Sequence, residues 1–326
     1  MNGGFSLFNF ATNARLTALD ASVRVWFRDA ISASEADVRG EFESTKRPLV
    51  DVVTMPGGGE TGNMEYVMAT LQGDLSDASD GTIREFTPEG ASVRSEATPN
   101  GMIVGISEYQ LQDDKFGILQ MGIKKAASKA VRWKYKRIGK AIPEGFVRTT
   151  IDQKTYFNTA HWVNLQNSTL GTFSNVATLP LTADNFATVR SRMRVIPQED
   201  GEAVYDNDPD ILMVSGKLET TAEAIVAVRQ NAFGADNVNL NKAKIVVVPE
   251  WDALAKPGGG TYQDLWCLFK TRDSACRPLI WNERMAPRVI PLPPNTGTNG
   301  RYFRWLIDAR AEVAFLDPRI GYASMP

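Results

Sequence analysis

Histidine is almost missing from this chain. His161 is the single one, and cysteine appears only at Cys267 and Cys276. One histidine excludes multi-histidine metal centres and leaves any Ser/His/Asp device a single base. The cysteine spacing fits neither a CxxC redox pair nor a zinc knuckle, so both thiols read as reduced and structural. No apolar run approaches the roughly 20 residues of a membrane-spanning helix. The opening MNGGFSLFNF lacks the positive region of a secretory signal. The expected location is therefore the cytoplasm or a particle assembled there. An excess of one charge is also lacking: 36 Lys and Arg stand against 38 Asp and Glu, a formal net charge of -2. That balance argues against a general nucleic-acid binder. The most telling absence is local, because Glu65 to Asp114 is rich in Asp and Glu and holds no lysine.

Immediately downstream the chemistry reverses. Asp113 and Asp114 sit where a helix N-terminus favours negative charge. Phe116, Leu119, Ile123, Ala126, Ala130 and Trp133 then recur at steps of three and four, which lays them on one helical face. The same helix, expected from about residue 113 to 141, carries Lys124, Lys125, Lys129, Arg132, Lys134, Lys136, Arg137 and Lys140. Pro143-Glu144-Gly145 stops its pattern. A basic helix of this kind has three readings: a nucleic-acid groove reader, a membrane-surface helix, or a structural helix whose cations meet an acidic neighbour. The neutral overall charge disfavours the first, and the alanine-rich centre disfavours the second. An acidic segment feeding a basic helix suggests a chain that pairs with copies of itself.

At 326 residues, 43% of them hydrophobic, the chain can hold a large core, and two domains are the natural expectation. Residues 13–31 read as an amphipathic helix capped by Thr12 or Asn13, with Leu16, Leu19, Val23, Phe27, Ala30 and Ile31 as its stripe. Val50 to Thr54 is a β-branched run, and residues 56–62 form a glycine-rich elbow. Asn63 to Leu71 and Gly101 to Leu111 read as the extended strands of one long hairpin. Two-stranded ribbons are marginal alone in water, so this one needs a surface to lie against. Beyond residue 181 a compact α/β pattern appears. Thr182 or Asp184 caps a helix to about Met193, and Ile211–Val214, Glu219–Gln230 and Ile245–Val248 form a βαβ unit. Short strands come next at Leu265–Phe269, Leu279–Trp281 and Val289–Leu292. A Pro/Gly cluster spans 291–300, and a final strand runs from Phe303 to Leu316.

Several places invite a chemical reading, and each is better explained structurally. Residues 57–62 lack the GK[ST] ending of a phosphate loop. Ser215-Gly216-Lys217 lies between a strand and a helix, where amides cradle anions, but the rest of the motif is missing. Asp206 to Asp210 begins like a calcium loop, yet Ile211 stands in place of the glycine and Lys217 in place of the bidentate glutamate. His161 has no nucleophile at a recognisable spacing and reads as a hydrogen-bonded structural residue. No catalytic residue, cofactor site or metal site is assigned.

The order of segments resembles the major head (capsid) subunit of Mu-like tailed bacteriophages and prophages. The similarity is carried by Val104-Gly105-Ile106 through Gln112-Asp113-Asp114-Lys115-Phe116-Gly117, and by Tyr156-Phe157-Asn158-Thr159-Ala160-His161. It continues through Leu181-Thr182, Val189 to Arg194, Asp200-Gly201, Pro209-Asp210-Ile211-Leu212-Met213-Val214, Leu218-Glu219, Thr221-Ala222 and Lys244 to Pro249. The resemblance implies an α+β chain of the Hong Kong 97-type capsid fold. That fold comprises an N-terminal arm (1–54), an extended loop (55–111), a peripheral domain with a long spine helix (112–165 and 302–326) and an axial domain (166–301). It implies a structural protein of the virion, assembled in the host cytoplasm into pentamers and hexamers of an icosahedral head around double-stranded DNA. Implied partners are further copies of itself, a separate scaffolding protein, a portal and a decoration protein, with packaged DNA on the inner face and no membrane. The scaffold is expected to be separate because little chain precedes the loop. Some relatives cross-link their shells through a lysine in the extended loop; a loop without lysine is expected to form no such bond. The expected inter-subunit contacts are Arg84, Glu85, Glu89, Arg94 and Glu96 of the loop against Lys124, Lys125, Lys129 and Arg132 of a neighbour. The alternatives are an α/β nucleotide-binding enzyme using Ser215 to Lys217, or another virion component.

Overall fold

The structure, a computed structural model, describes residues 5–37, 49–54, 63–70, 89–113, 117–165, 167–198, 201, 207–230, 234, 236–272, 277–297 and 300–326. In chain order, helix α1 (Phe5–Asp37) precedes strands β1 (Val50–Thr54), β2 (Asn63–Thr70), β3 (Glu89–Glu96) and β4 (Thr98–Ser107). Helices α2 (Glu108–Gln112) and α3 (Ile118–Glu144) come after them, then the short strands β5 (His161–Trp162), β6 (Thr172–Phe173) and β7 (Val176–Ala177). Next come α4 (Ala183–Arg194), β8 (Ile211–Ser215), α5 (Glu219–Val226), β9 (Lys244–Val248), α6 (Glu250–Ala253) and β10 (Trp266–Phe269). The chain ends with β11 (Leu279–Gly297), β12 (Gly300–Phe315) and β13 (Gly321–Ser324).

Two compact units share these elements. The first comprises residues 1–40, 97–135 and 283–311, the second 41–96, 136–282 and 312–326. In the first, β4 pairs antiparallel with β12 from Thr98 opposite Ala311 to Ser107 opposite Tyr302. Period-two alternation turns Met102, Val104 and Ile106 to one face of β4. There they meet Phe303, Trp305 and Ile307 of β12, Leu119, Ile123, Ala126, Ala127 and Ala130 of α3, and Val23 and Phe27 of α1. The alanines let the helix approach the sheet closely. The Trp305 indole N–H donates to Asp20 Oδ1 at 2.8 Å, which gives the buried ring's polar edge a partner on α1.

The second unit is built on a five-stranded sheet of order β7-β13-β10-β8-β9. β8 and β9 are parallel, Ile211 opposite Lys244 through Ser215 opposite Val248, with α5 in the crossover as the βαβ pattern requires. Phe186, Val189 and Met193 of α4 and Ala222, Ile225 and Val226 of α5 cover the sheet around Leu212, Val214, Trp266, Leu268 and Tyr322. The β2–β3 ribbon stands as its own two-stranded sheet, with Asn63 opposite Glu96 and Thr70 opposite Glu89.

Several expectations require correction. The first helix starts by Phe5 and runs 33 residues, so Thr12 and Asn13 lie inside it and do not cap it. The partner of Asn63–Thr70 is Glu89–Glu96, not the strand after Gly101. That strand carries an alternating apolar face and joins β12 instead. Ser107 then closes a capping box with Gln110, and the short helix α2 replaces the last extended residues. Asp113 ends α2 and does not open α3; Asp114 and Phe116 lie outside the described residues. α3 ends at Glu144, within the Pro143-Glu144-Gly145 stretch expected to stop it. α5 stops at Val226, four residues early, because Asn237 Nδ2 donates to the carbonyls of Ile225 and Val228 and takes over the helix end. Leu279–Trp281 and Val289–Leu292 are one 19-residue strand, and β13, unread in the sequence, is an interior strand of the second sheet. The glycine-rich elbow at 57–62 lies outside the described residues.

Candidate assembly interface

α3 sorts its residues by chemistry. Leu119, Ile123, Ala126 and Ala130 are buried, as their spacing predicts, and Trp133 is half-buried. Lys124, Lys125, Lys129 and Arg132 lie on the outer side of the helix, and all four are exposed. Lys125, Lys129 and Arg132 stand at steps of four and three, so they form one cationic stripe facing away from the apolar face. No described carboxylate pairs with any of the four.

Arg137 departs from this pattern. It is turned inward, its two terminal nitrogens on Glu144 at 2.9 and 3.0 Å and one of them on Glu312 Oε1 at 2.5 Å. Arg148 donates to the same Glu312 oxygen at 3.0 Å, to Glu144 Oε2 at 3.1 Å and to the Val313 carbonyl at 2.7 Å. Burial opposes the Arg137 charge, but the Glu144 hydrogen bond and the nearby Glu312 carboxylate hold its pKa above the ordinary arginine value. Two guanidinium groups and two carboxylates thus form one network between α3 and the end of β12. The sequence offered no signal for it beyond an arginine among lysines.

The loop residues divide differently. Arg84 and Glu85 lie outside the described residues. Glu89, Arg94 and Glu96 all lie on β3, Arg94 opposite Glu65. Glu96 is exposed. These residues fall in the second unit and the helix cations in the first.

The rival chemical readings meet filled or satisfied groups. At Ser215-Gly216-Lys217 the Lys217 amide donates to Asp252 Oδ1 at 3.4 Å, Lys217 Nζ pairs with Asp264 at 2.7 Å, and a Cβ on Gly216 would lie 2.4 Å from Asp252 Oδ2. A carboxylate occupies the place where a phosphate would sit. Asp210 accepts from the Thr271 amide and hydroxyl at 2.6 and 2.8 Å, and Asp208 pairs with Arg190. No cluster of three or more metal-ligating side chains occurs among the described residues. His161 is fully buried, Nδ1 at 2.6 Å from Asp152 Oδ2 and Nε2 at 3.0 Å from the Tyr156 carbonyl. Burial works against the Asp152 charge, but hydrogen bonds from His161 and Thr150 hold its pKa below the usual carboxylate range. Asp152, the partner of His161, gave no signal in the sequence; both belong to the packing of this loop. Cys267 is buried in β10, and burial pushes its thiol well up, so it is unreactive. No described helix is long and apolar enough to cross a membrane.

Comparison with known proteins agrees with this architecture. The family described as "Mu-like prophage major head subunit gpT" matches residues 98–180 and 177–251, the stretch from β4 through α3 to the βαβ unit. None of the curated proteins matches. Among solved structures, the procapsid of bacteriophage JBD30 superposes with a TM-score of 0.53 at 13% identity, covering 96% of this chain and 75% of that one. The capsid of cyanophage P-SCSP1u gives 0.55 at 10% identity, covering 85% and 86%. A virus-like particle from Pyrococcus furiosus gives 0.53 at 10% identity, covering 93% and 98%. The fold is that of the phage capsid subunits, of Hong Kong 97 type.

Proposed function

We infer that this chain is a major head subunit of the Mu-like kind, a structural protein that assembles in many copies, as pentamers and hexamers, into the icosahedral shell of a tailed-phage virion. The family match over β4, α3 and the α/β unit, together with the capsid fold, supports the reading. The observation that carries self-association is the β2–β3 ribbon, a two-stranded sheet with no third strand among the described residues. Such a ribbon is only marginally stable alone.

In this reading residues 1–54 form the arm, 55–111 the extended loop, 112–165 and 302–326 the peripheral domain, and 166–301 the axial domain. The lysine-free loop of one copy lies against the cationic stripe of α3 in a neighbour. Single exposed ion pairs contribute only about 0–1 kcal/mol, but closed symmetry repeats each contact around the shell, so weak pairs fix orientation. A separate scaffolding protein, a portal, a decoration protein and packaged double-stranded DNA complete the head.

Charge reversal tests the interface. Glu89→Lys and Glu96→Lys reverse charge at the two ends of β3, and reversal at the end that meets the neighbour is expected to abolish particles in velocity sedimentation. Lys129→Glu with Arg132→Glu is expected to abolish them too, and combining the reversals is expected to restore them. Unchanged particles in every single-side variant sink the interface. Because the loop lacks lysine, shells are expected to fall apart into single chains in hot detergent; a covalent ladder contradicts this.

A further inference from the structure

We propose that His161 is a buried imidazolium at neutral pH, a latch that holds the turn from Asp152 to His161 closed and lets it loosen as the solution becomes alkaline. The latch stands on hydrogen-bond geometry and goes beyond the capsid reading.

Each ring nitrogen faces an acceptor. Nδ1 lies 2.6 Å from Asp152 Oδ2, and Nε2 lies 3.0 Å from the Tyr156 carbonyl oxygen. No described residue offers the ring a donor. A backbone carbonyl has no proton to give. Asp152 has none either at neutral pH: its Oδ1 accepts from the Thr150 hydroxyl at 2.6 Å and the Lys154 amide at 3.1 Å, and its pKa is held below the usual carboxylate range. A neutral imidazole carries one N–H and one lone pair, and here that lone pair would point at a carboxylate or a carbonyl oxygen. Both nitrogens therefore donate. The ring is fully buried, and its charge is matched by the carboxylate in direct contact, as a buried charge requires.

The other charged groups nearby are engaged elsewhere. Lys154 Nζ donates to the Ala160 carbonyl and lies 4.0 Å from the centre of the Trp162 ring. Phe173 of β6 stacks on the imidazole at 5.3 Å, and the Arg319 guanidinium lies 5.9 Å from the Phe173 ring. Arg319 in turn pairs with Asp317 at 3.6 Å and donates to the Val163 carbonyl at 2.7 Å. The Tyr156 carbonyl takes its second donor from Asn175 Nδ2 at 2.7 Å, and the same nitrogen reaches the Pro318 carbonyl at 2.9 Å. The imidazolium thus ties the turn to β6 and, through Asn175, to the chain that leads into β13. Withdrawing either proton breaks one of the two ring hydrogen bonds and leaves a buried acceptor unsatisfied.

The test reads the unaltered full chain, because His161 is its single histidine. The chain is labelled with nitrogen-15 histidine, freed of any histidine tag, and its ring nitrogens are observed by NMR at neutral pH. Two protonated nitrogens are expected; one unprotonated nitrogen overturns the imidazolium. In Asp152→Asn the new amide can donate to Nδ1, so one nitrogen signal is expected to shift to the unprotonated position at the same pH. Two protonated nitrogens in that variant overturn the pairing with Asp152. On raising the pH of the unaltered chain, amide exchange across residues 152–161 is expected to quicken as the ring loses a proton. Unchanged protection through that titration, or a ring that keeps both protons until the whole chain unfolds, overturns the latch.

Discussion

Trp251 donates its indole N–H to the carbonyl of Gly139 at 2.8 Å. Gly139 is the helical carbonyl four residues before Pro143, which has no N–H to give it. A tryptophan from α6 replaces the donor that Pro143 withholds, so the last turn of α3, which ends at Glu144, keeps this carbonyl satisfied. The approach is close: a Cβ on Gly139 would stand 2.9 Å from Val248 Cγ1, and the β-branched Val248 has little rotamer freedom.

Trp251→Phe keeps an aromatic ring and removes the donor, so it is expected to cost about 1–3 kcal/mol, the penalty of an unsatisfied buried carbonyl. Gly139→Ala gains about 1 kcal/mol of helix propensity but overpacks the contact at a cost of about 1–3 kcal/mol. It is expected to destabilise, and Val248→Ala is expected to relieve it. Urea unfolding of the single and combined variants measures this; a stabilised Gly139→Ala single variant contradicts the packing.

Glu312 holds both Arg137 and Arg148 with one carboxylate. Glu312→Ala leaves two partly buried guanidinium groups to share Glu144 alone and is expected to cost about 1–3 kcal/mol. Arg148, the more exposed partner, is expected to cost less when replaced by alanine. Equal losses for the two variants in denaturant melts contradict the shared-carboxylate arrangement.

How much of this was legible beforehand depends on the range of the interaction. The apolar stripe of α3, the Thr182 cap of α4 and the βαβ unit obey local periodicity, so the sequence displayed them. The partner of β2 stayed hidden, because β3 and β4 are separated by Ala97 alone and only tertiary packing sends one to the ribbon and the other to β12. Pro143 marked the end of α3, but the donor that satisfies Gly139 comes from Trp251, far along the chain, and gave no sign. Arg137 read as one more cation of the basic helix, because its partner Glu312 is more distant still. The basic stripe of α3 was plain in the sequence.

Asp152 sets an acid limb on stability. Its folded pKa lies below its unfolded value near about 3.9, held there by His161 and Thr150. The stabilisation is therefore full above the unfolded pKa and is lost as pH falls through the folded one. Asp152→Asn is expected to flatten stability against pH below about pH 4. A variant with the same acid slope as the parent chain assigns that slope to other carboxylates.

The most direct test of the central claim is electron microscopy of the unaltered chain co-expressed with the products of the neighbouring genes. Closed shells of uniform diameter, built from five- and six-fold clusters of this subunit, are the expected result. A monodisperse single-copy species under every condition that yields folded protein contradicts it.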